Sequence, residues 1–245
     1  MSFEELQRSI TYPFQDPRWF MKLWPLLILP LIPIIGVISI VFYNGWRLEM
    51  IKHIAQGRLD LPGLVLVDIF KNGVILWAVF SAYVFVPAVL CAVLGIAGPL
   101  AFIADVFEVY HQGFESWSEE AIYDFTLAVV IYLAWAIISV PMFHVGMIRF
   151  ALSEKWYDLI NLPINAVILV RHIFSFIKYY LYALFLSLSI IAVDLLFSLT
   201  GIGLFFITLI TISGYYICSA YELGQLARKM KKLPPVNFPI RTIAQ

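Results

Sequence analysis

The sequence predicts an all-α, polytopic membrane protein, a single integral membrane domain over residues 1–245. Three observations carry that prediction. The chain is 62% hydrophobic and 13% charged, against about 25% charge in a soluble domain. A water-soluble fold of this composition would lack the polar groups to cover its surface. The sixteen Lys and Arg residues leave two long gaps, Gly73 to Ile148 and Tyr179 to Ala227. Each gap exceeds the roughly 20 apolar residues that cross a bilayer. The basic residues gather between the gaps and at both ends of the chain, and that clustering sets orientation, because Lys and Arg are retained in the cytoplasm.

Taken in order, Ser2-Phe-Glu-Glu5 resembles a capping box, and Phe3, Leu6 and Ile10 repeat at helical spacing. Residues 2–11 are read as a short interfacial helix. No cleavable leader is expected, since Glu4, Glu5 and Asp16 precede the first apolar run. Pro13 and Pro17 stop regular structure.

That first run, Leu23 to Tyr43, contains Pro25, Pro30, Pro33 and Gly36. Each proline removes an amide donor and crowds the preceding turn. Arg18 and Lys22 precede the run and Arg47 and Lys52 follow it, which places both flanks on the cytoplasmic side. A broken or re-entrant hairpin satisfies this, if neighbouring helices shelter its backbone. An ordinary kinked span is the alternative.

Residues 46–55 place Trp46, Met50 and Ile54 in one row, with Arg47, Glu49 and Lys52 elsewhere. They are read as an interfacial helix ended by Gly57. A short apolar patch at 64–71 follows the Leu61-Pro62-Gly63 turn. A span near 74–97 comes next, kinked at Pro87 and stopped by Gly95 and Gly98. Ala121 to Met147 is a second span, kinked near Pro141. A basic connection divided at Pro163 leads to a third span, Tyr179 to Leu199. After the Thr200–Gly203 turn, a last span from Leu204 to Cys218 continues helically through Met230.

These elements give four full spans plus the hairpin. Residues 44–72, 148–178 and 221–245 lie inside, and 99–120 and 200–203 outside. The C-terminus is therefore cytoplasmic. A fully spanning first run would raise the count to five and move Arg8, Arg18 and Lys22 outside.

Three segments echo one another: FYNGWRLEMIKHIAQGRLDLP from Phe42, FHVGMIRFALSEKWYDLINLP from Phe143 and YYICSAYELGQLARKMKKLPP from Tyr215. Each places aromatic residues before a mixed-charge helix and a leucine-proline stop. Duplicated helix pairs and plain composition bias both account for the echo.

Few residues are candidates for chemistry. Asp194 is a carboxylate within an apolar helix, where charge is expensive and often functional. Ser198 is one turn further on. A structural role in hydrogen bonding near the outer turn competes with transport or proton handling. His144, after Pro141, titrates near neutral pH when unperturbed. His53, His111 and His172 lie far apart in sequence. Glu115, Glu119 and Glu120 are too few to make a cation cage by themselves, and Cys91 and Cys218 have no metal or redox spacing. No metal site is expected and no cofactor is identified. Phosphate loops, HExxH and nucleophile elbows are all lacking, so no catalytic residues are expected. The basic clusters fit lipid and topology, not nucleic acid.

The opening TYPFQDPRW at Thr11–Trp19, IPIIG at Ile32–Gly36, GRLDLP at Gly57–Pro62 and DIFKNG at Asp68–Gly73 resemble a family of bacterial and archaeal membrane proteins called domain of unknown function 4013. The sharp motifs end near residue 73. Gly63-Leu-Val-Leu-Val67 departs from it, because the family is often more acidic and tryptophan-rich there. The resemblance implies a multi-pass protein of a bacterial or archaeal cell membrane and assigns no catalytic residue. Few intramembrane charges and several interfacial segments point to a non-enzymatic accessory or assembly subunit that contacts lipid and another membrane protein. A small-solute or proton-coupled transporter built on the broken hairpin and Asp194 is the alternative.

Overall fold

Local stop signals define the helix ends. In the computed structural model the described residues are 3–28, 35–58, 60–96, 119–198 and 211–231. They form α1 (Phe3–Thr11), α2 (Trp19–Ile28), α3 (Ile35–Ala55), α4 (Leu66–Val93), α5 (Glu119–Ser153), α6 (Leu162–Arg171), α7 (Ile173–Ser198) and α8 (Ile217–Lys231). Short 3-10 turns at Tyr12–Gln15 and Trp156–Asp158 and a π-helical turn at Thr211–Tyr216 link some of them. The chain is all-helical and polytopic. Leu66–Val93, Ile122–Ser153 and Ile173–Val193 are long and apolar enough to cross a membrane. Of the four breaks read in the N-terminal run, Pro25 lies inside α2 and Gly36 inside α3; Pro30 and Pro33, residues 99–118 of the outer segment 99–120, the turn at 200–203 and residues 204–210 of the last span lie outside the described residues.

Gly57 ends α3 as its position predicts. Its φ is +84°, a left-handed conformation that costs glycine no Cβ clash. The Arg58 amide returns to the His53 carbonyl and the Gly57 amide to that of Ile54, which satisfies two orphan carbonyls at the helix end. Gly95, φ +71°, closes α4 in the same way through Ile96 to Cys91 and Gly95 to Ala92. Asn161 caps α6, accepting from the Ile164 amide at 3.5 Å, with Pro163 in the first turn, where its missing donor costs nothing.

Two expectations change. The patch at 64–71 and the span after it run together in one helix, α4; Asn72 and Gly73 between them are weak helix formers, and both are used against α3, Asn72 bonded to Glu49 and Gly73 in contact with the Val41 backbone. Residues 46–55 continue α3 without a break, and their apolar row is enclosed by neighbouring helices. Trp46, Met50, Ile51 and Ile54 are all at most 2% exposed. α3 is the hub of the fold, packed against α4, α5 and α8.

The α3–α4 contact is antiparallel and very close. A Cβ at Gly45 would lie 1.8 Å from the Ile69 carbonyl oxygen, and one at Gly73 1.9 Å from that of Val41. Only glycine permits such backbone contact, and small residues at crossing points are how membrane helices approach closely. On α8, Gly224 meets the Ile54 side chain, with a hypothetical Cβ 2.6 Å from its Cβ.

Inside α4, Pro87 cannot donate to the Tyr83 carbonyl one turn back. Trp135 of α5 supplies the missing donor, its Nε1 lying 2.8 Å from Tyr83 O. An unmet carbonyl in an apolar setting costs several kcal/mol, on the order of 2–7, so this bond fixes α5 against α4.

The opening motif and GRLDLP meet in a clasp. Tyr12 is fully buried and its hydroxyl donates to Asp60 O at 3.2 Å. The Asp16 carboxylate accepts from the Arg18 amide at 2.8 Å, the Leu61 amide at 3.0 Å and Lys22 Nζ at 2.6 Å. Lys22 Nζ also donates to Leu61 O. Burial pushes the Asp16 carboxyl up. The Lys22 and amide hydrogen bonds outweigh this and hold it below the usual carboxylate range.

A depressed folded-state pKa stabilises above the unfolded value, near 3.9 for Asp, and is lost as pH falls through the folded value. Protease resistance of residues 3–28 is therefore expected to fall on acidification below about pH 4. D16N should be weaker at pH 7 by about 1.5–3 kcal/mol, the size of hydrogen bonds to a charged group. It should also show a flatter pH profile than the native chain. An identical acid transition in both proteins would assign it to other carboxylates.

Candidate functional site

A helical row brings Tyr43 and Arg47, one turn apart on α3, to face α7 and the start of α8. Arg47 is buried, 8% exposed, in a segment that sequence placed at an interface. Its Nη2 donates to the Tyr179 hydroxyl at 3.0 Å, and its guanidinium sits 5.9 Å from the Tyr216 ring centre. Attraction to an aromatic face partly replaces lost hydration for a buried cation. Arg47 Nε and Trp46 Nε1 are buried with no hydrogen-bond partner among the described residues.

His144 enters the same cluster from α5. Its ring lies edge-on to Tyr179 at 5.5 Å and Tyr180 at 5.7 Å. Nδ1 is 2.7 Å from the Tyr180 hydroxyl and 3.0 Å from Val140 O. With Nδ1 protonated it donates to the carbonyl; with Nδ1 bare it accepts from the phenol. Tyr43 packs on Tyr216 with centroids 5.4 Å apart. The result is one cation, an imidazole and four phenols joining α3, α5, α7 and the π-helical turn before α8.

Part of this cluster falls on one equivalent position of the three echoing segments. Tyr43, His144 and Tyr216 each occupy the second position of their segments, and all three line it. Sequence reasoning singled out His144 but missed Arg47, Tyr179, Tyr180 and Tyr216.

The other sequence candidates are not brought to this cluster by any described contact. Asp194 and Ser198 lie on the last turns of α7, with side chains outside the described residues. His53 and His172 sit elsewhere, and burial lowers the pKa of each. Glu119 and Glu120 begin α5, while Glu115 and His111 lie outside the described residues. Among the described residues no group of three or more His, Cys, Asp or Glu is arranged to hold a metal ion. Cys218 donates to Ser9 O at 3.7 Å, and Ser9 Oγ is 2.6 Å from the Tyr182 hydroxyl, so α1 is tied to α7 and α8.

Two polar cavities open at the end of the bundle where α3 and α5 finish and α4 and α7 begin. One, about 440 Å³, includes Glu49, Lys52, His53, Asp68, Lys71, Asn72 and Glu154. Asn72 Nδ2 donates to Glu49 at 3.1 Å and Lys52 pairs with Glu154. The second, about 510 Å³, is bounded by α1, α7 and α8. A smaller apolar groove of about 140 Å³ lies between α4 and α5 around Phe80, Pro87 and Trp135. No protein-family model, curated protein or solved structure matches the chain.

Proposed function

We propose that this chain is a non-catalytic accessory or assembly subunit of a larger membrane complex. The observation that supports it most is the unequal packing of the long apolar helices. In the most apolar stretch of Ile122–Ser153 only 6% is buried by the rest of the chain, against 28% in α4 and 33% in Ile173–Val193. Val130, Leu133 and Ile137 are 54%, 59% and 74% exposed. An apolar face that none of the described residues covers is met in a membrane by lipid or by another protein, and we assign it to a protein partner. At the opposite end of α5, Arg149, Asp158 and Asn165 are bonded to one another in a structural network. That use of polar groups fits a scaffold better than a solute path.

The finer architecture belongs to the same reading. Four full spans with a re-entrant N-terminal hairpin place Lys52, Lys71, Arg149, Lys178 and Arg228 together on the cytoplasmic side, as retention of basic residues prefers. The C-terminus is then cytoplasmic. The likeness of the opening and GRLDLP motifs to the domain of unknown function 4013 family supports a bacterial or archaeal cell membrane. No part of this reading involves nucleic acid.

Photo-crosslinking residues at Leu133 and Ile137, activated in native membranes, should yield one protein adduct of defined mass. The same probe at the exposed Leu188 of α7 should yield it weakly or not at all. Lipid adducts alone at α5, together with saturable solute flux by the purified chain in vesicles, would overturn the reading in favour of a transporter.

A further inference from the structure

We propose that the cavity between α1, α7 and α8 binds the headgroup of an anionic phospholipid. It measures about 510 Å³ and is lined by Arg8, Lys178, Arg228 and Lys229, with Glu222 as the only carboxylate among its described lining residues. Ser175, Gln15 and Gln225 add neutral hydrogen-bonding groups. Four cations facing one carboxylate across one cavity suit a phosphodiester, which takes charge-assisted hydrogen bonds from Lys and Arg. Arg8 also has a loose, exposed contact with Glu4 at 3.8 Å, which is worth little.

The position of the cavity favours a lipid over a soluble phosphate. Ser175 and Lys178 lie in the first turns of the membrane-length helix Ile173–Val193, where headgroups sit. Phe174, Ile177 and Leu181 are 85%, 47% and 63% exposed and follow one another at i, i+3 and i+7. Lys178 is four residues after Phe174 and three before Leu181, so it shares their face. A headgroup at Lys178 therefore leaves its acyl chains beside an open apolar stripe on the same helix. Basic pockets between membrane helices recognise anionic headgroups by this combination.

Tyr179 lines the cavity and its hydroxyl accepts from Arg47. The site is thus built directly onto the buried cluster that joins α3, α5, α7 and the π-helical turn before α8. Lipid binding here does not depend on the accessory-subunit reading.

The test is native mass spectrometry of the delipidated full chain, titrated with phosphatidylglycerol, phosphatidylcholine and inorganic phosphate. Phosphatidylglycerol should bind at least about tenfold more tightly than phosphatidylcholine. K178Q and K229Q should each weaken it about fivefold, the effect of one basic residue near a charged membrane surface. K71Q and R171Q, at the same end of the bundle but outside this cavity, should leave it unchanged. If either cavity variant fails to purify as a monodisperse protein, Q225E adds a carboxylate to the cavity lining and should weaken binding by a similar factor. Three results would overturn the proposal: no preference for the anionic lipid, equal weakening by K71Q, or displacement of lipid by inorganic phosphate at equal concentration. The last would assign the cavity to a soluble anion.

Discussion

Replacing Gly45 or Gly73 by alanine is expected to lower the apparent melting temperature of the purified protein by about 10 °C, and leucine at either position to prevent folding. The new Cβ would stand 1.8 Å from Ile69 O or 1.9 Å from Val41 O. Both obstacles are backbone atoms of the facing helix, so no side-chain rotation relieves the clash. Overpacking costs about 1–3 kcal/mol even where side chains can adjust. A rigid contact belongs at the upper end, and about 3 kcal/mol corresponds to roughly 6–12 °C for a chain of this size. The two glycines form one antiparallel contact, so each variant should separate α3 from α4 and the double variant should cost less than the sum. Gly63→Ala is the control. It meets nothing within 4 Å and should fall within about 0.5 kcal/mol of the native chain. Thermal unfolding followed by fluorescence-detected size exclusion measures all four. If Gly45→Ala matched Gly63→Ala, the close α3–α4 contact would not govern stability.

The difference between these glycines was only partly legible in the sequence. A stop signal is local. Gly57 and Gly95 follow apolar helical runs, and each adopts the positive φ that its position required. Membrane-length helices are also local, since apolar length alone identifies them. Burial is not local. Residues 46–55 carry Arg47, Glu49 and Lys52 among apolar rows, the usual pattern of a half-exposed helix. Their apolar row and Arg47 are buried because α4, α5 and α8 surround them, and that enclosure is made by residues distant in sequence. Arg47 shows the limit. Its hydrogen-bond partner Tyr179 is 132 residues away, so nothing near Arg47 announces that a phenol and an aromatic face will receive its charge. The three-segment echo held part of the missing information, because it sets Tyr43, His144 and Tyr216 at one equivalent position. The opening motif and GRLDLP were likewise visible as motifs, while the clasp between Asp16 and Leu61 required the fold to bring them together.

The same contrast between local and enclosed charge sets the outcome for the chain's second large network. At the end of α5, Glu154 takes a φ of +61°, and the following turn folds back on the helix. Arg149 there donates Nη1 to Asn165 Oδ1 at 2.8 Å and pairs through Nη2 with the Asp158 carboxylate. Ser153 Oγ donates to the other carboxylate oxygen at 2.5 Å, and Asn165 Nδ2 donates to Asp158 O at 3.1 Å. The Arg149 and Asp158 side chains are only 18% and 9% exposed. Asp158→Ala is therefore expected to destabilise the protein by about 3–5 kcal/mol, because it leaves an enclosed guanidinium without its counter-charge. Arg149→Met should cost a similar amount by stranding the carboxylate. The double variant R149M/D158L should recover at least half of that loss, since removing both charges also removes the cost of burying them. Lys52 and Glu154 supply the comparison, with side chains 30% and 70% exposed. Glu154→Gln should cost no more than about 1 kcal/mol, as solvent already screens that pair. Chemical or thermal unfolding in one detergent ranks the four variants. A D158A loss as small as that of E154Q would show the Arg149 network to be solvated and dispensable, whereas a deep single loss with recovery in the double variant identifies it as the fastening that holds the turn after α5 against the membrane helices.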